Sequence, residues 1–290
     1  MMLDSHIHLW RAQDGYDVWI RRKIAGLDHD FTLDALREAG AAAGMAGAVL
    51  VHATEEATET PCLLRLAQDE SLIQAVIGWA DPTDPAMPHR LDDFMRQSEK
   101  FRGLRVMPAF GDTEAMLSPT ALANWHELAA RGLTLDVLLA PAQLSVVMRL
   151  QDKVPGLRMM LNHCGRPLTA TGEVEPWATA LRAVARESDV CCKLSSLAER
   201  AGMDWSLARL QPYLDVVMDA FPPERLAFGS NWPVVNLASS YAGWWGALQA
   251  MLAPHAPLPE ARAALFGGTA ARFYGLPAAA QNASRSSQPI

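Results

Sequence analysis

Short apolar runs alternate with longer amphipathic stretches along the whole chain. Runs at Leu3–Leu9, Gly47–Ala53, Ile73–Ala80, Gly103–Pro108, Leu133–Ala140, Leu157–His163, Val190–Leu194 and Leu226–Ser230 predict strands. Continuous apolar runs such as GAVLV and LTLDVLLA suit parallel strands covered by helices on both faces. Helical patterns lie between them, for example TLDALREAGAAAG from Thr32, PTALANWHELAARG from Pro119 and PWATALRAVARES from Pro176. Ser118 before Pro119, with Gly132 at the far end, forms a cap-and-stop signal. Strand starts recur every ~25–45 residues, the size of a βα unit, and eight units predict an α/β chain folded as a distorted (β/α)8 TIM barrel. An open doubly wound sheet competes, but it calls for a Gly-rich phosphate loop after the first strand, where this chain has His8-Leu9-Trp10-Arg11. No Ser/Gly-rich linker interrupts the pattern, so residues 1–277 are expected to form one domain, with 278–290 a polar, mobile tail.

Composition narrows the function classes. Half of the 290 residues are hydrophobic and a fifth are charged, which excludes a disordered chain. The net charge of −7 is spread without a basic patch, so no nucleic-acid partner is expected. No apolar run reaches the ~18 residues of a membrane-spanning helix, so no membrane partner is expected either. Asp4, His6 and His8 stand where a signal peptide needs basic and then apolar residues, which predicts a cytoplasmic protein. Cys62, Cys164, Cys191 and Cys192 form no CxxC pair and read as reduced core cysteines, with Cys191 and Cys192 on opposite faces of a strand.

In a barrel, chemistry sits at the C-terminal ends of the strands. His6 and His8 lie two apart on the first strand and share a face, with Asp4 expected on the same face one layer deeper. If that face is the interior, the two imidazoles converge as a metal or a polarised carbonyl requires; otherwise they are hydrogen-bonded structural histidines. His163 ends a strand that breaks at Gly165 and Pro167, a place for a functional histidine. Arg166 either binds an anionic or hydroxylated substrate or caps a loop. Lys193 interrupts an apolar strand, so it is either a paired or pKa-shifted buried lysine or a rim lysine. Arg105 is a site arginine or half of a structural ion pair, and Asp136 reads as the anchor of a buried network. His52 ends the second strand and could line the pocket. Trp10, Trp79 and Trp232 lie at strand ends, either as aromatic walls for a sugar or as rim packing.

Taken in order, DSHIHLW, VIGWADP, LNHCGRP, CCKLSSL, FGSNWPV and the later GGTAARFYGL are specific. From Leu3 to about Pro277 the chain resembles the amidohydrolase superfamily, in the branch of L-fuconolactonase, L-rhamnonolactonase and 2-pyrone-4,6-dicarboxylate lactonase. The resemblance implies a hydrolase that opens a sugar-acid lactone. It carries His6 and His8 onto the family HxH, His163 onto its sixth-strand histidine and Lys193–Ser196 onto its KLSG segment. Two departures stand out. The fourth and fifth strands lack the carboxylated lysine or glutamate and the histidine of two-metal members. At most one divalent ion, Zn or Mn, is therefore expected, on His6, His8 and His163, and a metal-independent enzyme is the alternative. The family's strand-eight Asp, the base that activates water, is here Asn231, and an amide cannot take that proton. Three readings stay open. Asn231 is an engineered block, or it orients a water activated by a metal or by His163, or hydrolysis has been lost. The rival activities are decarboxylation or hydration of an unsaturated or aromatic acid on the same barrel, and non-catalytic binding of a sugar acid. The oligomeric state, including a homo-oligomer, stays open.

Overall fold

A computed structural model describes residues 2–11, 14, 24–108, 111–255 and 257–276; the expected tail at 278–290 lies outside them. All eight predicted strands form: β1 Met2–Ile7, β2 Met45–Val51, β3 Ile73–Gly78, β4 Phe101–Val106, β5 Thr134–Val137, β6 Arg158–Leu161, β7 Cys191–Leu194 and β8 Leu226–Phe228. They make one parallel sheet in the order β1 to β8. Residues beyond β8 bring its end back to β1: His8 N donates to Trp232 O at 2.7 Å, and Asn231 N donates to His6 O at 2.9 Å. The sheet is thereby a nearly closed TIM barrel of one domain, the architecture expected from the strand spacing.

The helices named below are α1 Leu33–Gly40, α2 Pro119–Ala130, α3 Trp177–Glu187, α4 Leu197–Ala201, α5 Tyr241–Leu252 and α6 Thr269–Phe273. The first three carry the predicted helical patterns. Ser118 caps α2, its hydroxyl accepting from Ala121 N at 3.3 Å, and Gly132 beyond its end has φ +68. Replacing Ser118 by alanine leaves that amide without its partner and lowers stability by about 1 kcal/mol. A urea midpoint that falls with an unchanged m-value checks this. No helix among the described residues is long and apolar enough to cross a membrane.

The strands stop earlier than their apolar runs. Leu9, Ala53, Ala80, Pro108, Ala140, His163 and Ser230 all lie past the last paired residue. The chain there turns into loops, and several of these loop residues hold left-handed backbone, with φ +55 at His163, +59 at Ser196 and +58 at Asn231. Left-handed backbone at a non-glycine residue costs roughly 1–2 kcal/mol, so the surrounding packing must impose it.

Two apolar layers flank the sheet. Inside, Leu3, Val49, Val51, Ala75, Ile77, Met160 and Ala227 pack with Ala270, Phe273 and Tyr274, so α6 and the residues after it close the barrel floor. Outside, a larger core joins strands to helices. Cys191 packs on the inner cluster and Cys192 in the outer one, on opposite faces as expected, and all four cysteines are free thiols.

Asp4 departs from the sequence reading. Leu3 joins the inner cluster, and the β1–β2 register shifts between Asp4 and Ile7. The bulge resets the alternation, so Asp4 does not share the face of His6. Its Oδ1 accepts from His6 N and Ser230 N, both at 3.0 Å, on the side of Tyr241 in α5. Asp4 therefore ties β1 to the chain after β8. Gly229 permits the same approach, since a Cβ there would stand 3.0 Å from His6 Cβ.

Candidate active site

The polar centre is wired from the barrel floor upward. Asp136 on β5 is fully buried and accepts from Tyr274 at 3.0 Å, Asn162 Nδ2 at 3.0 Å and Lys193 Nζ at 2.6 Å. It is the network anchor that an acid inside an apolar strand suggested. Lys193 on β7, also fully buried, lies 3.2 Å from His6 Nδ1. Burial lowers the lysine pKa, and Asp136, 2.6 Å away, opposes that shift. Buried Lys193 is therefore paired, as the first of its two sequence readings required.

This wiring assigns the histidine protons. A carbonyl only accepts, so His8 Nδ1, 2.8 Å from Val51 O, carries a proton, and its Nε2 bears the lone pair. His6 Nε2 lies 3.2 Å from that lone pair and donates to it, which frees His6 Nδ1 to accept from Lys193. Burial is the first cause that keeps these imidazoles neutral, with Lys193 and Arg105 adding repulsion. His6 and His163 are pushed well below the ordinary imidazole range, and His8 is lowered to about 3.

Arg105 on β4 is buried between the histidines, with Nη1 3.4 Å from His6 Nε2 and Nε 3.3 Å from His52 Nε2, while Nη2 donates to His52 O. Burial lowers its pKa to about 10, and Glu59 and Asp136 counter the shift, so the guanidinium stays charged. His52 is fully buried, with Nδ1 2.8 Å from Thr54 O and Nε2 3.0 Å from Arg105 O. It supports Arg105 from behind. Glu59, raised to about 8 chiefly by burial, accepts from Ala53 N and Thr54 N and fixes the loop that carries His52.

His163 follows β6, its Nδ1 2.8 Å from Ser195 Oγ and its ring centroid 4.5 Å from that of His6. Opposite it, Asn231 Nδ2 donates to Glu199 Oε1 at 2.9 Å and lies 3.3 Å from Ser196 Oγ, and the same side chain neighbours His8. Glu199, on α4 just beyond β7, escaped the sequence reading. The available signal was an acid six residues past Lys193 in a chain whose strand-eight acid is absent.

The remaining candidates fall in three places. Trp79 lines a cavity of about 330 Å³ at the mouth over β2–β4, together with Glu55, Asp81, Met107, Asp112 and Met116. Trp10 is fully buried, its indole N–H donated to His29 O at 3.0 Å, and Phe31 packs between it and buried Trp232 at centroid distances of 5.2 and 5.3 Å. Both rings therefore pack in the core, the rim-packing alternative of their reading, because Phe31 covers them. Arg166 is half-buried beside His163 in left-handed backbone, its pKa lowered to about 10 by burial and by Arg200.

His6 and His8 are the pair that could hold a metal. Their Nε2 atoms are 3.2 Å apart, which suits two nitrogens at ~2.0–2.1 Å from one Zn2+. Among the described residues, no three His, Cys, Asp or Glu side chains form a metal-binding group.

Comparison with known proteins places this geometry. The profile of the amidohydrolase family matches residues 3–276. An L-fucono-1,5-lactonase of Burkholderia ambifaria is 32% identical over 94% of this chain and 94% of its own length. A second L-fucono-1,5-lactonase, from Burkholderia multivorans, is 34% identical over 96% of this chain and 97% of its own length. The crystal structure of an amidohydrolase from Burkholderia multivorans with bound zinc superposes with a TM-score of 0.85 at 33% identity, covering 96% of this chain and all of that one. With its eight-stranded barrel, its histidine pair at the end of β1 and this match over nearly the whole chain, the protein belongs to the amidohydrolase family.

Proposed function

We propose that the protein is a hydrolase that opens the ring of a sugar-acid lactone by water attack on the lactone carbonyl. The relatives named as L-fucono-1,5-lactonases support this reading. The observation that carries it is the electrophilic centre. Neutral His6, His8 and His163 lie about charged Arg105, in a buried site where the Asp136 carboxylate is already neutralised by Lys193. A lactone carbonyl oxygen placed against Arg105 Nη1 gains negative charge as water adds, and preorganised donors stabilise that charge most when buried. Lys193 holds His6 in the donating tautomer, and Ser195 orients His163.

The pair His6 and His8 would hold a divalent ion, which when bound supplies Lewis-acid polarisation of the carbonyl. For His6 Nε2 to ligate, its proton would have to move to Nδ1, which faces Lys193 at 3.2 Å, so metal occupancy would be coupled to that contact. Substrate class is inferred from the cavity over β2–β4, whose lining includes Val106, the neighbour of Arg105. Its acidic residues Glu55, Asp81 and Asp112 repel a dicarboxylate and accept hydroxyl donors, and Trp79 offers a flat wall, so a neutral, hydroxylated lactone fits best. Purified protein in a pH-indicator assay is expected to release acid from a few related aldonolactones well above spontaneous opening. A flat panel, with equilibrium binding but no turnover, would overturn the assignment in favour of a binding protein.

A further inference from the structure

An ester-type hydrolysis needs a group that takes a proton from water, and the centre described above lacks one. The three histidines are neutral but weakly basic, Asp136 is consumed by Lys193, and Asn231 cannot accept the proton. Resting on the lactonase reading, we propose that Glu199 is the general base of this enzyme and that Asn231 is its positioning residue.

The geometry carries this. Glu199 Oε1 accepts from Asn231 Nδ2 at 2.9 Å, so one carboxylate oxygen is anchored at the end of β8. Its Oε2 is shielded from solvent and has no hydrogen-bond partner, although the residue as a whole is part-exposed at the barrel mouth. A buried carboxylate oxygen without a donor is costly in a merely structural role, and a bound water would satisfy it. Ser196 and Asn231 both hold left-handed backbone, and their strained turns bring the β7 and β8 loops together at this point. Asn231 N is tied to His6 O, which links the pair to the histidine centre.

Electrostatics suit the task. Burial raises the Glu199 pKa to about 7, against the hydrogen bond from Asn231, the nearby Ser196 hydroxyl and the charge of Arg200. The turn Val234–Leu237, which packs on α4, adds no titratable side chain. In the step itself, Glu199 Oε2 takes one proton of water while the water oxygen bonds to the carbonyl carbon and the carbonyl electron pair moves to oxygen beside Arg105. The tetrahedral intermediate collapses, the bond from the carbonyl carbon to the ring oxygen breaks, and the leaving alkoxide takes the proton back from Glu199. The product is the hydroxy acid, which ionises to solvent. An Asp at position 231 and a Glu at 199 would crowd two carboxylates together, so the amide at 231 and the acid at 199 form one arrangement.

The test is steady-state kinetics against the lactone that the wild type opens fastest, with thermal melts to confirm folding. Glu199→Gln keeps the acceptor for Asn231 but cannot take a proton, so kcat is expected to fall by ~10²–10⁴ with KM little changed. The wild-type profile should lose activity as pH drops below about 7, where Glu199 becomes protonated, and that limb should vanish from the residual activity of E199Q. Glu199→Asp, which keeps a carboxylate, should slow the reaction yet retain the limb. In E199Q/N231D the carboxylate moves to strand eight, and recovery over E199Q would support the pairing. An E199Q enzyme within about threefold of wild type, with its acid limb intact, would overturn the assignment while leaving lactonase activity standing.

Discussion

Replacing Asp136 by alanine is expected to destabilise the barrel by about 3–5 kcal/mol, the range for leaving a buried charge without its partner. Asp136 is fully buried and accepts from Lys193, Asn162 and Tyr274. Its loss strands an ammonium and two neutral donors away from water, and a cavity adds to the cost. The thermal midpoint should drop by roughly 10 °C at this chain length. Because the penalty comes chiefly from the unpaired lysine, D136A/K193M should recover more than half of it, a non-additivity that a double-mutant cycle measures. Midpoints of D136A and wild type within ~2 °C would show that Asp136 does not hold the centre together.

The second large effect falls on catalysis. Arg105→Gln should lower kcat/KM by ~10²–10³ with most of the change in kcat, the size seen when one oxyanion donor is removed. Arg105 is a charged donor 3.4 Å from His6 Nε2 and is held by His52 on its other side. Arg105→Lys should rescue little, because a flexible ammonium does not reproduce a fork fixed between two imidazoles. The uncharged amide also removes repulsion from His6, His8 and His163, so their pKa values should rise toward the ordinary imidazole range. Proton titration of the histidine resonances measures that shift. A variant that raises KM alone would place Arg105 in ground-state binding instead.

How far the site could be read along the chain depended on how local each cause is. The HxH spacing at His6 and His8, the strand-ending His163 and the misfit of Lys193 in an apolar strand are local signals, and the fold brings these side chains together. The place of Asp4 was lost to a bulge in β1, since alternation assumes an unbroken pleat. Trp10 and Trp232 resemble pocket walls until Phe31, more than twenty residues from Trp10, packs between them. Glu199 reads as an ordinary polar position of a short helix until β7 and β8 set it beside Asn231.

The chain by itself determined the eight βα units, their parallel order and the family to which they belong, because periodicity, caps and motifs act over a few residues. Tertiary structure alone decided which polar groups neutralise one another and which are left to react. Asp136 is 57 residues from Lys193, and Lys193 is 187 residues from His6. Contacts across such separations form only when the barrel closes, and burial then sets the charge of every group inside it.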